Sequence, residues 1–203
     1  MRGSVQTYRV HDLVRIDPNL AARWAGAPQW VASALQRAPW AVVRRAAPQH
    51  AIPIGVRGLD RTQRFAAEIL MSDVREVRSP EDLVAGRGEN LRLDRVFSAC
   101  LEAAQHRGLR IAPIGAFGFE RASGFPATRA GSDLDLLLRA GGAEIDLLRS
   151  FDAACAAIAH ESGVPIDVEV AFGNDGVALS ELVRGGDVVA KTPHGPRIVA
   201  CRT

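Results

Sequence analysis

The stretch Ile114-Gly115-Ala116-Phe117-Gly118, with Gly131-Ser132-Asp133-Leu134-Asp135-Leu136-Leu137-Leu138 a short way downstream, decides the fold. From Asp133 onward the run reads as a strand. Asp133, Asp135 and Leu137 share one face, and Leu134, Leu136 and Leu138 share the other. The leucine face can bury into a core. The other face holds two carboxylates roughly 7 Å apart at the Cα by strand rise. Anions that close raise one another's pKa. A divalent cation removes the repulsion, and Mg²⁺ takes oxygen ligands of this kind. Upstream, the apolar run Leu109 to Ile114 leads into Gly115 and Gly118, which let a backbone turn sharply and approach a ligand closely. A helix starting there would point free N–H groups at a phosphate. An anion site beside a carboxylate pair is what metal-assisted phosphoryl or nucleotidyl transfer needs.

An Asp-x-Asp strand alone is common, and most such pairs are a solvated sheet edge. A second strand shifts the balance. Pro165-Ile166-Asp167-Val168-Glu169-Val170-Ala171 repeats the alternation, with Ile166, Val168 and Val170 on one face and Asp167 and Glu169 on the other. Two such strands, one helix-length apart, suggest a shared acidic pocket. Alternation does not choose between Asp167 and Glu169 as the third acid. Asp167 is favoured because a shorter side chain holds a ligand or base more rigidly. The other acid would then stand behind it and hold an arginine.

Gly115-Ala116, a linker of under twenty residues, Ser132-Asp133-Leu134-Asp135 and the later acidic strand together resemble the nucleotidyltransferase superfamily. That superfamily's pattern is a Gly-Ser turn, an Asp-x-Asp strand and a third acid. The run Gly115 to Leu138, with Ser123-Gly124-Phe125-Pro126 inside it, is similar to a narrower family, the phosphoribosyl-dephospho-CoA transferases that serve malonate decarboxylase. His11-Asp12-Leu13, Ala38-Pro39-Trp40-Ala41-Val42-Val43-Arg44-Arg45 and Pro53-Ile54-Gly55-Val56-Arg57-Gly58 agree, as do Arg61, Gln63, Arg64 and Phe65. The resemblance covers nearly the whole chain.

It implies an α/β (α+β) fold: a nucleotidyltransferase-like mixed sheet with flanking helices, plus a smaller N-terminal α/β domain. It implies 2′-(5″-triphosphoribosyl)-3′-dephospho-CoA and the apo acyl carrier protein of malonate decarboxylase as substrates, with Mg²⁺ as cofactor. A carrier serine would take the prosthetic group and pyrophosphate would leave. Asp133, Asp135 and Asp167 become the metal ligands, with Glu169 the other catalytic acid. Gly115, Ala116, Gly118, Ser132, Arg57 and Lys191 become candidates for holding phosphates. Ala116 departs from the expected Ser, so the contact its hydroxyl would make passes to the backbone or is absent. The rival readings are a nucleotidyltransferase acting on another small molecule or protein, and a carrier- or nucleotide-binding module without turnover.

Ser132 could donate to a phosphate or simply close a turn, and Arg57 could bind a phosphate bidentately or be an ordinary surface arginine. Lys191 is the only lysine; every other strong base is arginine. It is a candidate for neutralising pyrophosphate. Arg37, Arg44, Arg45, Arg57, Arg61 and Arg64 fall in a segment whose only acid is Asp60, which suits an acidic carrier or the substrate's phosphates.

At 203 residues and 47% hydrophobic, the chain can bury a substantial core. A formal charge of +2 is too small to argue for general nucleic-acid binding. Cys100, Cys155 and Cys201 form neither a zinc spacing nor a disulfide framework, and the five histidines show no ligand spacing. No apolar run is long enough for a membrane span, and the N-terminus lacks a signal region. A cytoplasmic protein is expected. Met1-Arg2-Gly3-Ser4 is set aside from the fold argument.

Along the chain, a strand or turn is expected within 5–17, a helix from Pro28 through Leu35, and strands over Trp40–Arg45 and Ile52–Val56 paired about a turn near Pro48. Thr62–Leu70 reads as a helix, with Phe65, Ala66, Ile69 and Leu70 on one side. Ser79-Pro80-Glu81-Asp82 reads as a helix start. Gly86-Arg87-Gly88 is the best boundary, which gives an N-terminal domain over 1–85 and a catalytic domain over 86–203. Leu93, Val96, Phe97, Cys100, Leu101 and Ala104 mark a helix that Gly108 caps. Ile145, Leu148, Cys155 and Ile158 mark another, with Asp152 the exception on that side. Val177–Val183 is ambiguous. Asp187–Lys191 and Arg197–Cys201 read as strands about the turn Pro193-His194-Gly195.

Overall fold

The structure is a computed structural model that describes residues 8–47, 51–60, 62–139 and 142–201. Pro48, His50 and Arg61 lie outside the described residues. The chain divides into two units at Ser79/Pro80.

The first unit is a five-stranded antiparallel sheet. Its strands are β1 (Leu13–Ile16), β2 (Trp40–Val43), β3 (Ile52–Arg57), β4 (Arg64–Ile69) and β5 (Val74–Arg78), in the order β4-β3-β2-β1-β5. Helix α1 (Gln29–Arg37) follows Pro28 and buries Val31 and Leu35 among Val14, Ile16, Ile54 and Val56. Strands β2 and β3 pair as expected.

Residues 64–69 are not the expected helix. Phe65, Ala67 and Ile69 also satisfy the strand period, and tertiary pairing decides between the two. The whole of β3 pairs with β4, from Ile52 opposite Ile69 to Arg57 opposite Arg64. The Gly58 N–H donates to the Gln63 carbonyl at 3.0 Å and closes the connecting turn. Ala66 and Leu70, expected on the packed side of a helix, are exposed.

The second unit opens on a 3-10 turn, Pro80–Leu83, rather than an α-helix. The Leu83 and Val84 carbonyls, which a continuing helix would use, accept from the Arg121 guanidinium at 2.8 and 3.1 Å. Then follow α2 (Leu91–Gln105), β6 (Ile111–Pro113), α3 (Gly115–Ser123), β7 (Leu134–Arg139), α4 (Ile145–Ser162) and β8 (Ile166–Phe172). Next come β9 (Asp175–Ala178), α5 (Leu179–Arg184), β10 (Gly186–Thr192) and β11 (Gly195–Cys201). The ambiguous stretch is thus the end of β9 and α5.

The six strands are ordered β11-β10-β9-β8-β7-β6; β7 and β8 are parallel and every other pair is antiparallel. This is the mixed α/β arrangement expected. Helices α2 and α4 bring Phe97, Cys100, Leu148, Phe151 and Cys155 into one core with Leu134, Leu136, Leu138, Val168 and Val170. Each fully buried leucine there contributes about 1.5–3 kcal/mol. Asp133 precedes β7 rather than opening it, and Leu137, on the carboxylate face, is buried as well. Among the described residues, no helix is long and apolar enough to cross a membrane.

Candidate active site

Parallel register sets Asp135 of β7 beside Asp167 of β8, and Leu137 beside Glu169. The Leu134 N–H donates to the Pro165 carbonyl at 2.9 Å, which ties the two strand starts together. Asp133 is carried just outside that junction. One oxygen from each of Asp133, Asp135 and Asp167 lies within 4.8 Å of the others. Asp133 and Asp135 are half-buried and Asp167 is exposed.

The turn from β6 into α3 closes on the same place. The Ile114 N–H donates to the Asp135 carbonyl at 3.0 Å. Gly115 sits at φ +64°, and a Cβ built there would lie 1.9 Å from Asp135 Oδ2. Only glycine meets both demands. The first turn of α3 is therefore against the Asp135 carboxylate, with Ala116 second in the helix. Helix N-termini favour negative charge nearby. Gly118 has another reason to be glycine: its Cβ would stand 2.7 Å from the Pro113 carbonyl oxygen, so it packs α3 onto β6.

The loop carrying Ser132 and Asp133 is held from below by residues the sequence reading did not single out. Glu120 is 2% exposed and accepts from the N–H groups of Ala127, Thr128 and Asn90 and from the Thr128 hydroxyl, at 2.8–3.2 Å. Burial alone would raise its pKa, but these bonds outweigh burial and hold the carboxylate below its ordinary value. Asn90 caps α2 and reaches Thr128 and the Arg129 carbonyl, while Arg92 reaches the Ala130 carbonyl. Ser132 closes the last turn: its hydroxyl accepts from the Arg129 N–H at 2.8 Å and keeps its own hydrogen to donate. Beneath α3, Arg121 lies between the Phe97 and Phe117 rings, 4.7 and 4.6 Å from their centroids, and pairs with Asp94 at 2.6 Å. An Asn ahead of an apolar helical run was a legible cap signal. The run Phe119-Glu120-Arg121 carried no sign that its acid is buried.

Asp135, Asp167, Glu169, Asp152, Ser180 and Lys191 line a cavity of about 510 Å³. The two acids of β8 share a face but not an environment. Asp167 belongs to the three-carboxylate cluster; Glu169 is 7% exposed and receives Lys191 Nζ at 2.9 Å. Asp152, the polar exception on α4, has its pKa raised by burial. Arg57 lies on β3 of the first unit, opposite Arg64.

Two family models match the chain. Residues 9–80 match the phosphoribosyl-dephospho-CoA transferase MdcG N-terminal domain and residues 82–201 the corresponding C-terminal domain. A Pseudomonas putida phosphoribosyl-dephospho-CoA transferase is 34% identical over 200 residues, 95% of this chain and 93% of its own length. One from Klebsiella pneumoniae strain 342 is 35% identical over 201 residues, 96% and 95% of the two chains. One from Pseudomonas aeruginosa is 34% identical over 189 residues, 85% and 83%. No solved structure matches. With the two domain models together matching residues 9–80 and 82–201, and relatives of this identity along nearly the whole length, the chain belongs to the phosphoribosyl-dephospho-CoA transferase family.

Proposed function

We propose that this chain transfers the phosphoribosyl-dephospho-CoA group from 2′-(5″-triphosphoribosyl)-3′-dephospho-CoA to a serine of the apo acyl carrier protein of malonate decarboxylase. The reaction releases pyrophosphate, depends on a divalent cation and takes place in the cytoplasm. The observation that carries this reading is the convergence of three carboxylate oxygens within 4.8 Å in a chain of this family.

The donor set fits a hard cation such as Mg²⁺: oxygen ligands only, two half-buried and one open to the cavity side. Three anions at that spacing oppose one another unless a cation or protons intervene. When bound, such an ion offsets phosphate charge and supplies Lewis acidity. Asp133, Asp135 and Asp167 would hold it. The chain's own residues do the rest. Gly115 keeps Asp135 in place from the side. The first turn of α3 offers backbone N–H groups to the phosphates, which takes over from the hydroxyl that Ala116 lacks. Ser132 donates its hydroxyl hydrogen to a phosphate oxygen. Asp167, the most exposed acid, accepts the carrier serine's proton as the serine oxygen bonds to the phosphorus nearest the ribose. The bond from that phosphorus to pyrophosphate breaks in the same displacement. We assign these roles to the second unit, and recognition of an acidic carrier to Arg44 and Arg64, both exposed in the first.

The test is pyrophosphate release from the triphosphoribosyl precursor. It should require apo carrier and stop when the acceptor serine is changed to alanine. Release at an equal rate without carrier would point to hydrolysis or another acceptor.

A further inference from the structure

We propose that Glu169 is a positioning residue that holds the Lys191 ammonium over the acidic cavity, where Lys191 takes the phosphate chain of the substrate. The inference deepens the transferase reading and rests on it for the identity of that substrate.

The sheet register makes the pair. Glu169 on β8 stands opposite Ala178 on β9, and Lys191 on β10 stands opposite Gly176 on β9. All four positions therefore share one face, with β9 between the two charged residues. Two strand spacings are about 10 Å, so the side chains meet only by crossing β9. They cross it where it offers a methyl group and a hydrogen. The meeting is close, at 2.9 Å, and unequal: the Glu169 side chain is 8% exposed and that of Lys191 58%. A buried carboxylate left without a partner is costly. Glu169 therefore anchors, and the open end of the pair is the ammonium. One of the three N–H bonds of Lys191 goes to Glu169, which leaves others for a ligand.

The cavity needs such a group. Among the described residues lining it, Asp135, Asp152, Asp167 and Glu169 are acidic and Lys191 is the basic side chain. A phosphate chain entering it meets an excess of negative charge. Glu169 stands apart from the cluster of Asp133, Asp135 and Asp167. It is two residues along β8 from Asp167, so the ammonium it holds lies beyond the cluster rather than in it. Lysine suits this place as a compact charge with rotatable donors, in a chain that otherwise uses arginine for its strong bases.

A single lysine gives a single probe. Protein grown on lysine labelled with carbon-13 at Cε shows one such resonance. Inorganic pyrophosphate with Mg²⁺ should move it in the wild type and move it far less in Glu169→Gln. A resonance unmoved by pyrophosphate up to about 10 mM overturns the proposal. Kinetics supply the second arm. Lys191→Met should lower transfer about a hundredfold, Glu169→Gln about tenfold, and the double variant no more than Lys191→Met alone. A further tenfold loss on adding Glu169→Gln to Lys191→Met would make Glu169 act independently of the lysine, as a metal ligand would, and overturn the positioning role. If pyrophosphate moves the lysine resonance but no carrier is modified, the anion contact stands and the transferase reading falls.

Discussion

Gly115 shows how tightly the acidic centre is built at the level of single atoms. Its left-handed backbone and the 1.9 Å approach of a hypothetical Cβ to Asp135 Oδ2 leave no room for any side chain. Gly115→Ala should destabilise the protein by about 1–3 kcal/mol through backbone strain. It should also lower transfer by about a hundredfold, because Asp135 must move. A thermal melt and a transfer rate on one preparation check both. A rate unchanged by Gly115→Ala would show that the position of Asp135 does not matter. The glycine was legible in the sequence as a turn, but its purpose was not, because the residue it makes room for is twenty positions downstream. Asp167 and Glu169 illustrate the same limit. Alternation placed them on one face, yet only the register with β7, and across β9 with β10, gives one to the carboxylate cluster and the other to Lys191.

Elements whose packing is local were legible. The apolar spacing of α2, the leucines of β7 and the β10–β11 hairpin follow from nearest-neighbour patterns. Elements decided by partners that apolar spacing does not reveal were not: β4 is a strand because the neighbouring β3 offers it a ladder, and Pro80–Leu83 stops after one turn where Arg121, far along the chain, donates to the Leu83 and Val84 carbonyls. The loop before β7 belongs to this second kind, since Glu120 of α3 supplies its internal support. Glu120→Gln should cost about 1–3 kcal/mol at neutral pH. The folded protein holds this carboxyl below its ordinary value, so the stability it adds is complete above the unfolded-state pKa, about 4.3. It is lost as pH falls through the lower folded-state value. Chemical denaturation of both proteins across acidic pH checks this, and a gap that widens on acidification would contradict it.

At the scale of the whole molecule, the second unit carries the acidic cluster and the first carries the segment from residue 37 to 64, whose only acid is Asp60. If that segment recognises an acidic carrier, the carrier KM should rise with salt from about 0.05 to 0.5 M, because exposed charge pairs are screened. A KM indifferent to salt would assign the arginines another role. In the other unit, we propose that Asp133 just ahead of β7, Asp135 on β7 and Asp167 on β8 form one cation-dependent transfer site. It is tested most directly by the intact mass of the apo carrier after incubation with the triphosphoribosyl precursor, with Mg²⁺ titrated, using wild type, Asp133→Asn, Asp135→Asn and Asp167→Asn. The wild type should add the phosphoribosyl-dephospho-CoA mass only when a divalent cation is present. Each variant should be slower by at least about a hundredfold, roughly 2.7 kcal/mol of transition-state stabilisation. Modification that persists in excess chelator, or near-normal rates in the three variants at saturating Mg²⁺, would contradict the account.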